Sequence, residues 1–314
     1  MISKKTLKLK LSNQIKNNYL SNDNRFNMIS EKQFFDYFLP QSFNYIIVEE
    51  NEKSDIYIYD IFIKNKDIMK DDEINMLISI ENLPFWNIQS HAYNHFENFG
   101  EFGNDKINIY LYNHLSTMSI TENYLAIPLV YNFINYYKNN EHNINPNNEI
   151  LFKDKKFALA INKSKLNSEI TNIINKLKNI GEVDDISLYN NIIENKSLYH
   201  SQELISVFNN YKFIICYENS YANGYVTEKI FNCFFSKSIP LYKGAPNVLD
   251  YFNKESFVDL HNNDIDEQIN LIISLNNNED LYNNMINYKK ISDNYDDKNY
   301  EKELTNFIEN KLNK

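Results

Sequence analysis

Apolar and polar positions alternate along residues 5–11, with Leu7, Leu9 and Leu11 on one side of an extended chain, and this period of two predicts a short strand. A helix-like stretch follows at 31–38. Short runs rich in Ile, Val and Tyr predict strands at 45–48, 55–59, 76–80, 107–112 and 124–131, each followed by polar residues where a strand hands over to a loop. The helices between them are weakly signalled, and residues 86–105 follow neither period. The polar stretch 138–156, which contains Pro146, marks a domain boundary. Beyond it the rhythm sharpens: strands at 157–161, 213–217, 239–242 and 257–260, and helices at 168–177, 203–210, 227–235 and 265–275, with Asp264 placed to cap the last. Strands alternating with helices of this length predict an α/β fold with parallel, doubly wound sheets. The expected division is 1–145, 150–296 and a C-terminal helix within 297–314 that packs back on the N-terminal domain.

A length of 314 residues favours two domains over one. Hydrophobic residues make up 43% of the chain and aromatics 15%, enough for two real cores. Arg25 is the only arginine amid abundant Asn, Lys, Ile and Tyr, as in AT-rich coding, so part of the composition reflects nucleotide bias. A formal net charge of −10 opposes a nucleic-acid partner, although a few local cations and helix N-termini still suffice for a small phosphorylated ligand. Cys216 and Cys233 lie in apolar stretches without zinc-ligand spacing. The N-terminus lacks the apolar core of a signal peptide, and no run approaches the ~20 apolar residues that span a bilayer, so the expected location is cytoplasmic.

Residues 213–252 carry the chemistry. A strand ending in Cys-Tyr-Glu-Asn-Ser leads through a loop with Gly224 into a helix opening at Val226 and Thr227, and Ile-Pro-Leu-Tyr-Lys-Gly-Ala-Pro-Asn follows. Ligands of doubly wound sheets bind beyond the carboxyl ends of the strands. The loop can therefore offer backbone N–H groups, the Tyr225 hydroxyl and the Lys229 ammonium to a diphosphate, with Glu228 accepting from ribose hydroxyls. Taken singly, Glu218, Glu228 and Lys229 read more simply as solvated or mutually paired charges.

In order, these blocks resemble the donor-binding signature of the α-1,3/1,4-fucosyltransferases, glycosyltransferase family 10, especially its bacterial members. Upstream, Met76-Leu77-Ile78-Ser79-Ile80-Glu81-Asn82 lies where that family has a strand ending in Gly-Glu-Asn, and Tyr124-Leu125-Ala126-Ile127-Pro128-Leu129 resembles another of its strands. The resemblance implies a GT-B fold: two Rossmann-like domains facing a cleft, an acceptor domain first and a GDP-sugar domain second. It implies an inverting transfer of fucose from GDP-fucose to a glycan hydroxyl, with Glu81 as general base, Lys229 and Tyr225 on the phosphates, Glu228 on the ribose and Asn219 in the donor site. No metal or other cofactor is implied, because Lys, Tyr and backbone donors can stabilise the departing diphosphate.

The chain departs from the family in one respect: an additional arginine on the diphosphate has no counterpart, leaving Lys163 or Lys196 to substitute as point charges. Two alternatives therefore stand, a transferase of the same fold using another GDP-sugar, and an inactive glycan- or nucleotide-binding relative. The triplet Asp264-Ile265-Asp266 has the form of a metal-binding Asp-X-Asp, but helix capping accounts for it, and the same holds for Asp71-Asp72 and Asp184-Asp185. The six histidines form no compact ligand pattern.

Overall fold

The computed structural model describes residues 4–16, 20, 35, 39–60, 73–78, 109–111, 125–144, 146, 148, 150–161, 168–189, 202–219, 221–261 and 265–313. The chain divides into two compact units, one of residues 1–136, 222–225 and 296–314 and the other of 137–221 and 226–295.

The first unit holds a six-stranded parallel sheet built from β1 (Thr6–Leu11), β2 (Asn44–Ile47), β3 (Ile56–Asp60), β4 (Ile74–Ile78), β5 (Ile109–Leu111) and β6 (Leu125–Ile127), in the order β2-β1-β3-β4-β5-β6. Register places Leu9 beside Ile56 and Leu11 beside Ile58, so one face is aliphatic. The other face brings Lys10 beside Tyr57. There Lys10 Nζ lies 3.0 Å from Glu73 Oε1 and 5.2 Å from the Tyr57 ring centroid, with both charged side chains almost wholly buried. Glu73 Oε1 also accepts from the Ser54 N–H.

The residues expected as a strand at 124–131 divide differently. Among the described residues 125–131, three extend, and α1 (Leu129–Asn140) begins directly after Pro128. Its β-branched and aromatic composition suggested a strand, but Leu129, Val130, Tyr131, Phe133, Ile134 and Tyr136 are all buried, and that packing outweighs local propensity. The C-terminal helix, counted as α7 (Asp297–Leu312), belongs to the first unit. It buries Leu304 and Ile308, and Glu301 accepts from Ser42 Oγ and Tyr131 OH, both at 2.9 Å. The expected helix at 31–38 and the stretch 86–105 lie outside the described residues apart from Phe35.

The second unit holds a five-stranded parallel sheet of β7 (Lys156–Ala160), β8 (Val183–Asp185), β9 (Tyr211–Tyr217), β10 (Ile239–Lys243) and β11 (Val258–Asp259), in the order β11-β10-β9-β7-β8. Its helices are α2 (Ser168–Lys178), α3 (Gln202–Asn209), α4 (Glu228–Phe235), α5 (Ile265–Asn277) and α6 (Glu279–Asn287). Central β9 is buried along all seven residues, which is why it reads as an unbroken apolar run from Phe213 to Tyr217. On α2, Ile170, Ile173, Ile174 and Leu177 repeat at helical spacing and are buried against Phe157 and Phe213. Strand β8 was not predicted: it is a three-residue edge strand with two acids, and Asp184 is held by Lys156 Nζ at 2.7 Å and Tyr211 OH at 2.6 Å. Helix α6, also unpredicted, fully buries only Tyr282, with Met285 and Ile286 packed partly buried against the core.

Three helix C-termini of this unit are tied by lysines: Lys155 Nζ donates to Asn209 O at 2.5 Å, Lys212 Nζ to Asn276 O at 3.0 Å, and Lys290 Nζ to Ile286 O at 2.5 Å. The first sheet runs in the doubly wound order 2-1-3-4-5-6 and the second in the order 2-1-3-4-5, so each has a switch point between its first and third strands, β1 and β3 in one and β7 and β9 in the other.

The buried Lys10–Glu73 pair makes the first prediction. Lys10→Ala leaves a carboxylate buried without its counter-charge and is expected to cost about 3–5 kcal/mol. Lys10→Met combined with Glu73→Gln is expected to recover most of that loss, and urea denaturation of the three proteins measures both effects.

Candidate functional site

At the β7/β9 switch point, β9 ends and Glu218 follows as the first residue beyond the sheet. Its backbone N–H donates to Lys243 O at 2.9 Å, which keeps the chain in register with β10 for one more residue. Its side chain is fully buried. Oε1 accepts from the Thr227 N–H at 2.8 Å, and Oε2 accepts from Thr227 Oγ1 at 2.7 Å and from Lys229 Nζ at 3.2 Å. One carboxylate at a strand end therefore grips the first turn of the following helix.

Lys229 also donates to Thr227 Oγ1 at 2.9 Å and lies 3.4 Å from Glu228 Oε1. Glu228 is itself buried, so two carboxylates flank one ammonium where little water reaches. Burial pushes the Glu218 carboxyl up and the neighbouring Glu228 adds to this; Lys229 and the two Thr227 donors pull it down, but the net direction is upward. Thr227 occupies the N-cap position of α4 without capping it, because its hydroxyl is turned to Glu218. The leading amides of α4 are thus not covered by the cap side chain that usually satisfies them.

The loop after β10 closes against this cluster. A Cβ built on Gly244 would stand 2.4 Å from Glu218 Cγ and 2.3 Å from Tyr242 OH, so only glycine fits there. His261 holds the same turn from β11: its Nδ1 lies 2.7 Å from Asp259 Oδ1 and its Nε2 3.1 Å from Gly244 O. Burial lowers the imidazole pKa, but the bonds to Asp259 and Gly244 outweigh it and the net shift is upward. Burial raises Asp259, and its bonds with His261 more than reverse this. Lys243 pairs with Glu169 on the first turn of α2.

Of the residues singled out from sequence, Glu228 and Lys229 meet in this cluster, and exposed Asn219 is the next residue after Glu218. Tyr225 is buried and belongs to the first unit, as does Gly224, whose φ of 73° places it in the left-handed region and whose carbonyl accepts from the Val130 N–H. Glu81, Lys163, Lys196 and Asp264 lie outside the described residues. Asp266, in the first turn of α5, pairs with Lys176 Nζ at 2.6 Å. Among the described residues, no group of three or more His, Cys, Asp or Glu is placed to hold a metal ion, and no helix is long and apolar enough to cross a membrane.

Sequence reasoning passed over Glu218, Thr227, Gly244 and His261 as site-forming residues. A signal for Glu218 was available: a lone carboxylate closing an otherwise apolar central strand has no reason to be there unless something at the strand end needs it. A cavity of about 310 Å³ lined by Asn148, Phe152, Lys155, Lys237 and Tyr282 lies instead among residues preceding the strands, away from Glu218.

A doubly wound α/β unit with a helix N-terminus and a lysine gathered at its switch point belongs to the class of folds that hold nucleotides or other phosphates. Residues 150–311 match the model for "Glycosyltransferase family 10 (fucosyltransferase) C-term", and the chain belongs to that family. The α-(1,3)-fucosyltransferase FucT of Helicobacter pylori is 39% identical over 107 residues, 34% of this chain and 20% of that one. An α-(1,4)-fucosyltransferase of Arabidopsis thaliana is 28% identical over 135 residues, 40% and 34% of the two chains. The chain thus spans a fifth to a third of the length of these relatives. A crystal structure of an α1,3-fucosyltransferase superposes with a TM-score of 0.63 at 21% identity, over 99% of this chain and 91% of that one, and one of such an enzyme with GDP superposes with a TM-score of 0.62 at 20% identity, over 100% and 92%. The GT-B kind of fold, with two parallel α/β sheets, is therefore the fold of this chain.

Two outcomes follow from the cluster. Gly244→Ala forces the β10 loop away from Glu218 and is expected to cost about 1–3 kcal/mol in chemical denaturation, the usual range for overpacking. The Asp259–His261 pair makes stability pH-dependent. The His261 contribution is complete below the ordinary imidazole value of 6.5 and is lost as pH rises through its raised folded value. The Asp259 contribution is present above 3.8 and is lost as pH falls through its lowered folded value. Asp259→Asn is expected to lower the His261 titration midpoint, read from its imidazole NMR signals, and to flatten the decline in stability on the alkaline side.

Proposed function

We propose that this chain transfers fucose from GDP-fucose to a hydroxyl of a glycan acceptor with inversion at the sugar carbon. The observation that carries the reading is that the family match at 150–311 contains the whole switch-point cluster, so the motif residues Glu228 and Lys229 stand where this class of fold binds phosphates. In the reaction, the acceptor oxygen bonds to the anomeric carbon while its proton passes to Glu81 as general base. The bond from that carbon to the β-phosphate oxygen breaks, and GDP leaves with the electron pair.

Lys229 and the leading amides of α4 meet the charge that grows on the diphosphate, Tyr225 adds a hydroxyl, Glu228 accepts from the ribose and Asn219 completes the donor contacts. Lys163 or Lys196 supplies the second cation. Because lysine and amide donors stabilise the leaving group, no metal is required. A second reading has a specific observation behind it: the only arginine is Arg25, so the bidentate fork of the family is missing, and a different GDP-sugar is the alternative donor.

The division of labour between Glu81 and Lys229 tests this. Glu81→Gln is expected to leave GDP-fucose affinity nearly intact while lowering kcat by roughly 10²–10⁴. Lys229→Ala is expected to weaken GDP and donor alike by about 1.5–3 kcal/mol and to slow turnover as well. Wild-type turnover by Glu81→Gln at saturating substrates removes Glu81 from the mechanism. A panel of GDP-sugars scored by donor hydrolysis separates fucose from other donors, and turnover lost to EDTA and restored by Mn²⁺ refutes metal independence.

A further inference from the structure

Beyond the residues that meet the donor, Glu218 stands out by its cost. A carboxylate with no exposed surface, a second buried carboxylate beside it and one ammonium between them leave the group with an excess negative charge in a poorly solvated place. Such an arrangement is often no more stable than a neutral replacement of the same size. The upward direction of the Glu218 pKa agrees, since burial outweighs everything its partners return. Packing alone does not explain a fully buried acid at the end of an apolar strand.

The geometry does suggest what the cost obtains. The two oxygens of Glu218 take the Thr227 N–H, the Thr227 hydroxyl and the Lys229 ammonium, three donors within the opening of one helix. By drawing off the Thr227 hydroxyl, Glu218 keeps that side chain from capping α4. By holding the ammonium, it fixes the end of a flexible four-carbon chain beside the same turn. Gly244 lets the β10 loop close over the carboxylate, so the clamp is held from both neighbouring strand ends.

We infer that Glu218 is a positioning residue of the donor site, which sets the Lys229 ammonium and the first turn of α4 in place for a diphosphate. The inference rests on the reading that Lys229 contacts the diphosphate. It assigns Glu218 no contact with donor or acceptor. Its action passes mainly through the Lys229 ammonium and in smaller part through the turn at Thr227, so most of its effect on ligand binding depends on Lys229 being there. Thermal stability follows the opposite course, because removal of the charge relieves the burial.

The test is a double-mutant cycle on GDP binding, measured by calorimetry on the full chain, with thermal unfolding recorded for each protein. Glu218→Gln keeps size and one acceptor while removing the charge. It is expected to weaken GDP about tenfold, equivalent to about 1.4 kcal/mol, with a Tm equal to or above that of the parent. In a Lys229→Met background the same change is expected to cost clearly less GDP affinity than in the parent, the remainder being the part that passes through the turn at Thr227. Should Glu218→Gln fail to fold, Thr227→Val carries the cycle in its place, and Thr227→Ser, which keeps the hydroxyl, is expected to restore binding. An unchanged GDP affinity in Glu218→Gln, or an equal loss with and without Lys229, overturns the positioning role while leaving the donor-site reading intact. If Lys229→Met alone binds GDP as tightly as the parent, the donor-site reading itself fails.

Discussion

The buried carboxylate of Glu218 is the constraint around which the second unit organises the carboxyl end of its sheet. Strand β9 delivers it beyond the sheet, and helix α4 starts where its oxygens find the Thr227 amide and hydroxyl. The β10 loop must then pass so close that residue 244 can carry no side chain. One charge thereby couples three segments, a strand end, a helix start and a loop, within residues 218–244. An isolated buried acid would be untenable, so each partner is required by the others as much as by the fold.

The parallel topology explains why such a cluster arises at this end of the sheet. Every strand of the second unit points its carboxyl end the same way, and the returning helices start there, so amide N–H groups and positive dipole ends collect at one side. The switch point between β7 and β9 opens that side, since their connections leave toward opposite faces. Acids recruited there serve to orient cations and amides, and His261 with Asp259 repeats the device on a smaller scale at the β11 end.

Much of the second unit was legible in the sequence because its strands are buried on both faces and its helices are amphipathic. Phe213 to Tyr217 could be little else than a central strand, and the isoleucines of α2 declare their buried side by spacing. What escaped detection did so for physical reasons. Edge strand β8 offers two aspartates to a pattern that looks for apolar runs, and α6 buries a single tyrosine. Helix α1 carries the composition of a strand, and only its tertiary packing decides the matter. In the candidate cluster, the motif residues Glu228 and Lys229 were legible, whereas the packing of Glu218 depends on a loop closing from residue 244, a relation that spacing along the chain does not carry.

The lysines at the helix C-termini have a consequence of their own. A chain with a single arginine meets its structural need for cations with amines, and these can give up a proton where a guanidinium cannot. Burial lowers Lys155 to about 8, helped by the nearby Lys237 charge, and burial alone lowers Lys290 to about 8. Since the unfolded chain holds those protons more tightly, keeping them charged costs stability at neutral pH, and that cost eases as pH rises past about 8. Two helix ends in this protein are therefore fastened by groups that are partly neutral amines under mildly alkaline conditions, and the substitution of lysine for arginine has made part of its architecture answerable to alkalinity.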